Sequence, residues 1–377
     1  MLAIRTEGSR FMLHSTLNFE LITDPVTLRT LGWEAFVASH PEGTVFQSPD
    51  MYELFSRTAN MKPVAVGVQD KTTGSLAGIL LGVVIREMKG PLGYFSSRTV
   101  VYGGPLVVTT RQGDRERVVE LLLEELIRRV KNRSVFIQFR NFADLKEYRK
   151  VFFSFGFRHR DRLNLLVDTS GPEIVRKNMS PSRWRQIRKG MGQPDSWTVG
   201  QLDSGGNPFA ELISPENLGQ VREFYDILLD LYRHKVKKPL PGWDFFESFY
   251  HLSAEGKLGV IKLVKYRGRI IGGILSPVTP GKTIYEWYVC GLDQQYREAH
   301  PSVLATWAAI DHALHNGIPQ FDFMGVGIPE REYGVREFKM RFGGKTVNYG
   351  RFARINNKTV YTISEIGFNI LSLLKKI

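Results

Sequence analysis

Two cationic side chains near the end of the chain, Lys339 and Arg341, lie between two aromatic residues, Phe338 and Phe342, just before a pair of glycines. The run from Gly334 to Gly344 reads Gly-Val-Arg-Glu-Phe-Lys-Met-Arg-Phe-Gly-Gly. A cation held in a partly buried, aromatic-lined segment suits an anionic ligand, or a negative charge that develops during a reaction. This segment is therefore the first candidate for a functional site.

A carboxylate, Asp322, lies on a predicted strand shortly before that segment. Phe321 and Phe323 alternate with it at the period of a strand, and Gly325 and Gly327 predict a sharp bend after it. The pattern leaves two roles open for Asp322, either as a base in a reaction or as a structural cap of the bend.

A basic helix face forms a third candidate in the middle of the chain. Arg185, Arg188 and Lys189 share one side of a predicted helix, with Trp184 and Ile187 on the other side. Such a face can bind a diphosphate or an RNA backbone, or it can be an ordinary solvated surface. The formal net charge of the chain is +13, which favours anionic partners.

The sequence predicts no conventional nucleophile, metal site or cofactor. Its single cysteine, Cys290, lies on a predicted strand as a buried thiol, and the eight histidines lack metal-ligand spacing. One cysteine and the absence of a signal-peptide pattern indicate a cytoplasmic protein. The chain has no run of about 18 apolar residues, so no membrane-spanning helix is predicted.

The elements that must position these residues occur twice. Each half predicts a helix, an antiparallel strand pair, a long amphipathic helix, a strand, and a Phe/Gly-rich segment leading to a last strand. The predicted elements are 49–58, 64–68, 78–85, 115–131 and 135–140 in the first half, and 215–235, 258–265, 271–278, 302–315 and 320–324 in the second. An α/β fold with two mixed sheets follows.

Turn-forming residues at 168–172 place the predicted domain boundary, which gives domains of 15–168 and 173–377. The second domain ends in a predicted amphipathic helix over 363–377. Core packing is its expected role, with membrane contact as the alternative.

The repeated module resembles the GNAT acyltransferase fold, and the whole chain resembles the FemAB family, in which two GNAT-like domains are fused. The resemblance rests on the segments 183–190, 321–325, 334–339 and 341–344, and it extends from about residue 21 onward. The chain is similar to the members that lack a coiled-coil arm. The resemblance implies a non-ribosomal aminoacyl- or acyltransferase that acts on a cell-envelope precursor, such as a peptidoglycan stem peptide, with aminoacyl-tRNA as the donor.

The resemblance also implies roles for individual residues. It places Lys339 at the reacting centre beside Phe338, where its charge would stabilise the oxyanion or the 3′ end of the tRNA. We therefore expect Lys339→Met to lower turnover with little effect on folding. Tyr285 and Trp287 are candidates for the wall of the acceptor site, with core packing as the alternative. The remaining substrate-binding candidates are Arg185, Arg188, Lys189, Tyr232, Arg233, Arg341 and Tyr102.

The donor is indicated by what the chain lacks. GNAT proteins hold the pyrophosphate of acetyl-CoA on a glycine-rich loop at a helix start, but here His300 and Ser302 replace glycines and Pro301 lacks an N–H donor. This favours aminoacyl-tRNA over acyl-CoA. Two alternatives stay open: an acyl-CoA-dependent N-acetyltransferase of a polysaccharide or small-molecule pathway, and a non-catalytic GNAT scaffold that binds nucleotides or nucleic acid. The other expected partners are a UDP-linked or lipid-linked envelope precursor and, peripherally, a membrane surface.

Overall fold

The computed structural model describes residues 18–88, 90–109, 112–192, 209–330 and 334–364. Contacts between Cα atoms divide the chain into two compact units. Unit 1 contains the described residues up to Arg160 and those from Tyr349 onward, and unit 2 runs from Asp161 to Asn348. Among the helices of the described residues, none is both long and apolar enough to cross a bilayer.

Unit 1 is built on one mixed sheet of eight strands. The strands are β1 (Phe19–Ile22), β2 (Met61–Asp70), β3 (Leu76–Arg86), β4 (Ser97–Tyr102), β5 (Leu106–Val107), β6 (Phe136–Arg140), β7 (Arg158–Arg160) and β16 (Arg351–Ile355). The helices are α1 (Pro25–Thr30), α2 (Trp33–Ser39), α3 (Pro49–Arg57), α4 (Gln112–Val130) and α5 (Arg149–Ser154). The strand order is β1-β2-β3-β4-β6-β16-β7, and β5 pairs with β3.

Unit 2 has a second eight-stranded sheet. Its strands are β8 (Leu163–Asp168), β9 (Ala210–Ile213), β10 (Gly259–Tyr266), β11 (Arg269–Thr279), β12 (Thr283–Tyr285), β13 (Tyr288–Gly291), β14 (Gln320–Gly325) and β15 (Lys345–Asn348). The helices are α6 (Pro172–Asn178), α7 (Pro181–Met191), α8 (Leu218–Leu231), α9 (Trp243–Ala254), α10 (Pro301–His315) and α11 (Gly334–Met340), with a π-helix at Tyr232–Val236. The strand order is β15-β8-β14-β12-β11-β10-β9, and β13 pairs with β11.

The two sheets repeat one pattern of pairing. In each, three antiparallel contacts lead to a parallel pair, β4 with β6 and β12 with β14, and two more antiparallel contacts follow. The prediction of a tandem module with two mixed sheets is therefore confirmed. The predicted helix at 49–58 is α3, which begins where the Ser48 hydroxyl accepts from the Met51 N–H and Pro49 takes the first helical position.

The division into units differs from the predicted boundary at 168–173. Strand β8 pairs with β14 and β15 in unit 2, whereas β16, near the end of the chain, returns to pair with β6 and β7 in unit 1. The turn-forming residues at 168–172 mark only the loop between β8 and α6. Each sheet thus takes one strand from the part of the chain that the sequence assigned to the other domain.

The Phe/Gly-rich segments contain helices that the sequence did not predict. Lys339 lies on α11, and the corresponding segment of unit 1 contains α5. Phe338 and Lys339 therefore project in different directions, because adjacent side chains on a helix lie about 100° apart. Residues 358–364 are helical, and the rest of the predicted helix over 363–377 lies outside the described residues.

Candidate functional site

Two parallel strands of unit 2 separate at Tyr285 and Asp322. Up to that pair β12 runs beside β14, and the Glu286 N–H still donates to the Asp322 carbonyl at 2.9 Å. Beyond it β13 follows β11, while β14 shifts register and pairs with β8 as far as Gly325. The separation, called here the fork, opens the sheet beside the segment in which the resemblance to GNAT proteins places the reacting centre.

A buried ion pair lies at the fork. Lys339 projects from α11 with its Nζ 2.8 Å from Glu286 Oε1, and the two side chains are only 11% and 3% exposed. The same Nζ donates to the Phe323 carbonyl at 2.9 Å and lies 5.2 Å from the centre of the Phe323 ring. The other oxygen of Glu286 accepts from the Thr306 hydroxyl of α10 at 3.2 Å. Contacts with Phe323 of β14 and Thr306 of α10 therefore hold the charged pair in a fixed position.

The ammonium of Lys339 retains capacity for a ligand. It has three N–H donors, and among the described residues Glu286 and Phe323 take two of them. A third donor on a buried, immobilised cation has the properties of an oxyanion-stabilising group, because it needs no reorganisation when negative charge develops.

Asp322 lies beside this pair and is fully buried. Its Oδ1 accepts from the Met324 N–H at 2.6 Å, and its Oδ2 accepts from the Asn164 side chain at 3.2 Å. Burial raises the pKa of Asp322 to about 7, against the lowering effects of these two hydrogen bonds and of Lys339. Met324 has a φ of 58°, so the contact to its N–H stabilises a left-handed bend that a non-glycine residue seldom adopts. This is the geometry of a structural cap.

A separate cavity lies next to α11 on the side of Phe338. Its volume is about 430 Å³. The lining residues are Arg183, Gln186, Asp293, Arg297, His300, Val303, Gly334, Glu337, Phe338 and Arg341. Three arginines face two carboxylates there, so the cavity has the charge to accept an anionic group.

Arg183 on α7 is the buried cation of this cavity, with a relative exposure of 2%. Its guanidinium donates to the Phe338 carbonyl and to Gln186 Oε1, both at 2.8 Å, and stacks on the rings of Phe338 and Phe342. Burial, and then the charge of Arg341, lowers the pKa of Arg183 to about 10. Its buried Nε has no hydrogen-bond partner within the described part of the chain. An unpaired buried donor of this kind is suited to an incoming acceptor.

A carboxylate occupies the helix start at the edge of the cavity. Asp293 accepts from the Ser302 N–H at 3.0 Å and from the Ser302 hydroxyl at 2.5 Å, while His300 turns the chain into α10 with a φ of 49°. A pyrophosphate held on the first N–H groups of α10 would meet this negative charge. The structure thus adds an acidic obstacle to the missing glycines.

The predicted residues of the second half lie in several environments. Phe338 and Arg341 line the cavity, and Lys339 and Asp322 lie at the fork. Tyr285 is 3% exposed on the last paired position of β12. Trp287 and Tyr232 belong to an aromatic cluster around Tyr288, whereas Arg233 is exposed on the π-helix.

The predicted basic helix face does not line the cavity. Arg185 and Lys189 of α7 are exposed and Arg188 is partly buried, whereas Arg183 is the cation that α7 directs into the cavity. Helical spacing identified a shared face, but only the packing of α7 against α11 shows which cation is buried. Glu286 and Thr306 were also missed, because nothing in the local sequence links either residue to Lys339.

Unit 1 has an equivalent fork without an equivalent ion pair. Tyr102 pairs with Arg140, and the Gly103 N–H donates to the Arg140 carbonyl at 2.8 Å, so Gly103 takes the position of Glu286. The side chain of Gln47 fills the space there, with its Nε2 2.7 Å from where a Cβ of Gly103 would lie and donating to the Gly104 carbonyl. The predicted site residue Tyr102 stacks on Phe46 and lies under Arg140. Among the described residues of unit 1, Gly103 and the side chain of Gln47 therefore take the place that the Glu286 carboxylate has in unit 2.

Comparison with known proteins supports this description of the fold. Residues 211–340 match the model of an acetyltransferase (GNAT) domain, which spans the fork and α11. The crystal structure of FemX is similar over 91% of this chain and 99% of its own, with a TM-score of 0.64 and 14% identity. A tandem GNAT protein from the clavulanic acid biosynthesis pathway is similar over 90% and 99%, with a TM-score of 0.52 and 11% identity. No curated protein matches the sequence.

The chain therefore has a tandem GNAT fold of the kind found in FemX, and the predicted fold class is confirmed. The domain match likewise confirms the expected acyltransferase class.

Proposed function

We propose that unit 2 transfers an aminoacyl group from an activated ester to an amino group of a cell-envelope precursor. The observation that carries the proposal is the buried Lys339–Glu286 pair at the fork, within a domain of the acyltransferase class. An ester of this kind is already reactive, so the protein has to orient the two substrates and stabilise the tetrahedral intermediate.

Lys339 is the residue that would touch the reacting atoms. The amine of the acceptor attacks the ester carbonyl carbon, and the third N–H of Lys339 donates to the carbonyl oxygen as it becomes negative. The intermediate then breaks its C–O bond to the donor. The leaving oxygen takes up the proton that the amine loses, so the products are an amide and a free hydroxyl, and no redox partner is required.

Glu286 and Thr306 act as positioning residues in this scheme. A lysine on its flexible stem loses precision unless its head group is held. Glu286 holds Nζ at 2.8 Å and is itself fixed by Thr306. The carboxylate also offsets part of the cost of burying the ammonium.

The cavity of Arg183, Arg297 and Arg341 supports a phosphate-bearing donor. Phe338 connects it to the reacting centre, because its carbonyl and ring bind Arg183 while the next residue is Lys339. The Asp293 carboxylate at the start of α10 disfavours a pyrophosphate on that helix. We therefore favour the 3′ end of an aminoacyl-tRNA as the donor over acyl-CoA. The acceptor would be a UDP-linked or lipid-linked precursor at the cytoplasmic face of the envelope.

Donor binding tests the proposal directly. Fluorescence anisotropy is measured with an aminoacylated acceptor-stem RNA, and acetyl-CoA is measured by calorimetry. We expect RNA binding whose log affinity falls steeply with log salt concentration, since bound phosphates release their counterions. Arg297→Gln should weaken RNA binding and reduce the salt slope by about one unit for each phosphate that Arg297 neutralises. Arg269→Gln is the matched control, because Arg269 is an exposed arginine of unit 2 outside the cavity.

Two results would contradict the donor assignment. Salt-insensitive RNA binding would mean that phosphate groups do not hold the donor in the cavity. Micromolar binding of acetyl-CoA would move the function to N-acetylation, the activity that the GNAT domain match alone also allows.

A further inference from the structure

Apolar side chains are exposed together at one end of the unit 1 sheet. Five of the large hydrophobic residues that are exposed within the described chain lie there, each between 39% and 57% exposed. These residues are Met88, Leu92, Phe95, Ile355 and Ile363. Single exposed hydrophobic residues are ordinary, but a cluster marks a contact surface.

Strand register brings these five residues to the same end. The end of β3 meets the start of β4 through Arg86 and Ser97, and the start of β6 meets the end of β16 through Phe136 and Ile355. Arg98 of β4 is in turn paired with Phe136. The loop from Met88 to Phe95 and the segment after Ile355 therefore leave the sheet side by side.

The terminal helix joins the same surface. The Ser364 hydroxyl donates to the Phe95 carbonyl at 2.8 Å, and Tyr361 packs edge-on against Phe136. Ile363 thus lies next to Phe95.

Exposed cations surround this surface. Lys131 and Arg133 lie in the turn before β6, which is fixed to β16 by hydrogen bonds from Asn356 to Val135 and Ser134. Arg86 and Lys358 are exposed at the ends of the neighbouring segments. The acidic neighbour Glu87 is paired with Arg98 at 2.6 Å, so it does not offset the four exposed cations.

We propose that this surface, called here the basic apolar edge, binds an anionic phospholipid bilayer. Apolar side chains on a turn and a helix can insert at the level of the lipid headgroups, and the surrounding cations attract the negative surface. A second copy of the chain is disfavoured as the partner, because a two-fold contact would bring the cations of both copies together. The proposal rests on unit 1 alone and is independent of the chemistry assigned to the fork.

Vesicle co-sedimentation of the full chain tests the basic apolar edge. We expect binding to vesicles of phosphatidylglycerol and phosphatidylcholine, and little binding to phosphatidylcholine alone. Lys131→Gln with Arg133→Gln should weaken binding by about fivefold for each cation removed. Leu92→Ser with Phe95→Ser should weaken it at least tenfold. Val26→Ser is the matched control, since Val26 is 70% exposed on α1 of the same unit, and it should stay within twofold of wild type.

Three results would overturn the proposal. The first is equal binding of wild type and both double variants to the anionic vesicles, or no binding by any of them. The second is a concentration-dependent dimer, seen by sedimentation equilibrium, that Leu92→Ser abolishes, because the partner would then be another copy. The third is a fall in the unfolding temperature of Leu92→Ser comparable to that of a core substitution, because the surface would then be covered by the chain itself. Donor-binding affinity is measured on the same variants, so that loss of membrane binding is distinguished from failure of the proposed function.

Discussion

Replacement of Lys339 by methionine tests two roles of one buried ion pair, in the stability of the fold and in catalysis. At 2.8 Å, the Coulomb attraction between Lys339 and Glu286 is about 6 kcal/mol at an effective dielectric constant of about 20. Much of this attraction offsets the cost of removing both charges from water. When Lys339 alone is lost, Glu286 either stays charged without its partner or takes up a proton, and the expected loss of stability is about 3–5 kcal/mol. The buried ion pair therefore predicts a large loss of stability, in place of the sequence-based expectation that Lys339→Met has little effect on folding.

A second substitution shows whether the broken ion pair is the cause of the loss of stability. Glu286→Gln in the Lys339→Met background removes the uncompensated carboxylate and still lets the side-chain carbonyl accept from Thr306. We expect the unfolding free energy to return to within about 2 kcal/mol of wild type. The control is Lys257→Met with Glu255→Gln, an exposed pair of unit 2 at 2.6 Å, for which the coupling should be at most about 1 kcal/mol.

Turnover should not recover with stability. If the third N–H of Lys339 stabilises the oxyanion, Lys339→Met lowers kcat by about 10²-fold or more, and the double variant stays equally slow. The assays are urea unfolding of all four combinations and transfer rates under single-turnover conditions. A Lys339→Met protein as stable as wild type would refute the buried pair, and one with near wild-type turnover would refute the role in catalysis.

Other contacts of unit 2 give three more expected outcomes. Burial raises the pKa of Asp322 from 3.8 to about 7. Between about pH 4 and 7 the folded state therefore keeps a proton that the unfolded chain has lost. As pH rises through that window, Asp322 progressively lowers the free energy of unfolding. Asp322→Asn should remove this slope in urea unfolding measured from pH 4.5 to 8, and an unchanged slope would count against the raised pKa. Asp293→Asn should increase the affinity for acetyl-CoA, measured by calorimetry, because it removes the charge at the Ser302 N–H; unchanged affinity would mean that the carboxylate is not the obstacle. Gly343→Ala should cost at least about 2 kcal/mol in thermal unfolding, because Gly343 has a φ of 88° and an added Cβ would lie 2.3 Å from the backbone of Asn178; a smaller cost would indicate that α6 can move away.

Helices and strands with strong periodicity were predictable from the chain alone. The long helix predicted at 302–315 is α10 at Pro301–His315, and the strand at 135–140 is β6 at Phe136–Arg140. These segments follow local rules, because apolar spacing and turn residues act within a few positions of each other. The doubled order of elements was enough to predict two mixed sheets of the same design.

Within the sequence analysis, only the resemblance to the FemAB family placed Lys339 at the expected reacting centre. Its neighbours Phe338 and Arg341 and the bend at Gly325 marked the segment, but the segment was predicted as a Phe/Gly-rich connection without the helix α11. The error is physical, because a short helix of seven residues between a loop and a turn carries little periodic signal.

By itself the sequence determined the tandem α/β design, the residues of the glycine-bounded segment and the lack of glycine at 300–302, since each is read from residues close together along the chain. Only the tertiary structure decided that Glu286 holds Lys339, that Arg183 rather than Arg185 enters the cavity, and that β8 and β16 belong to the units they join. These contacts join residues far apart in sequence. Their partners are selected by burial of charge and by strand pairing, which depend on distant segments coming together as the chain folds.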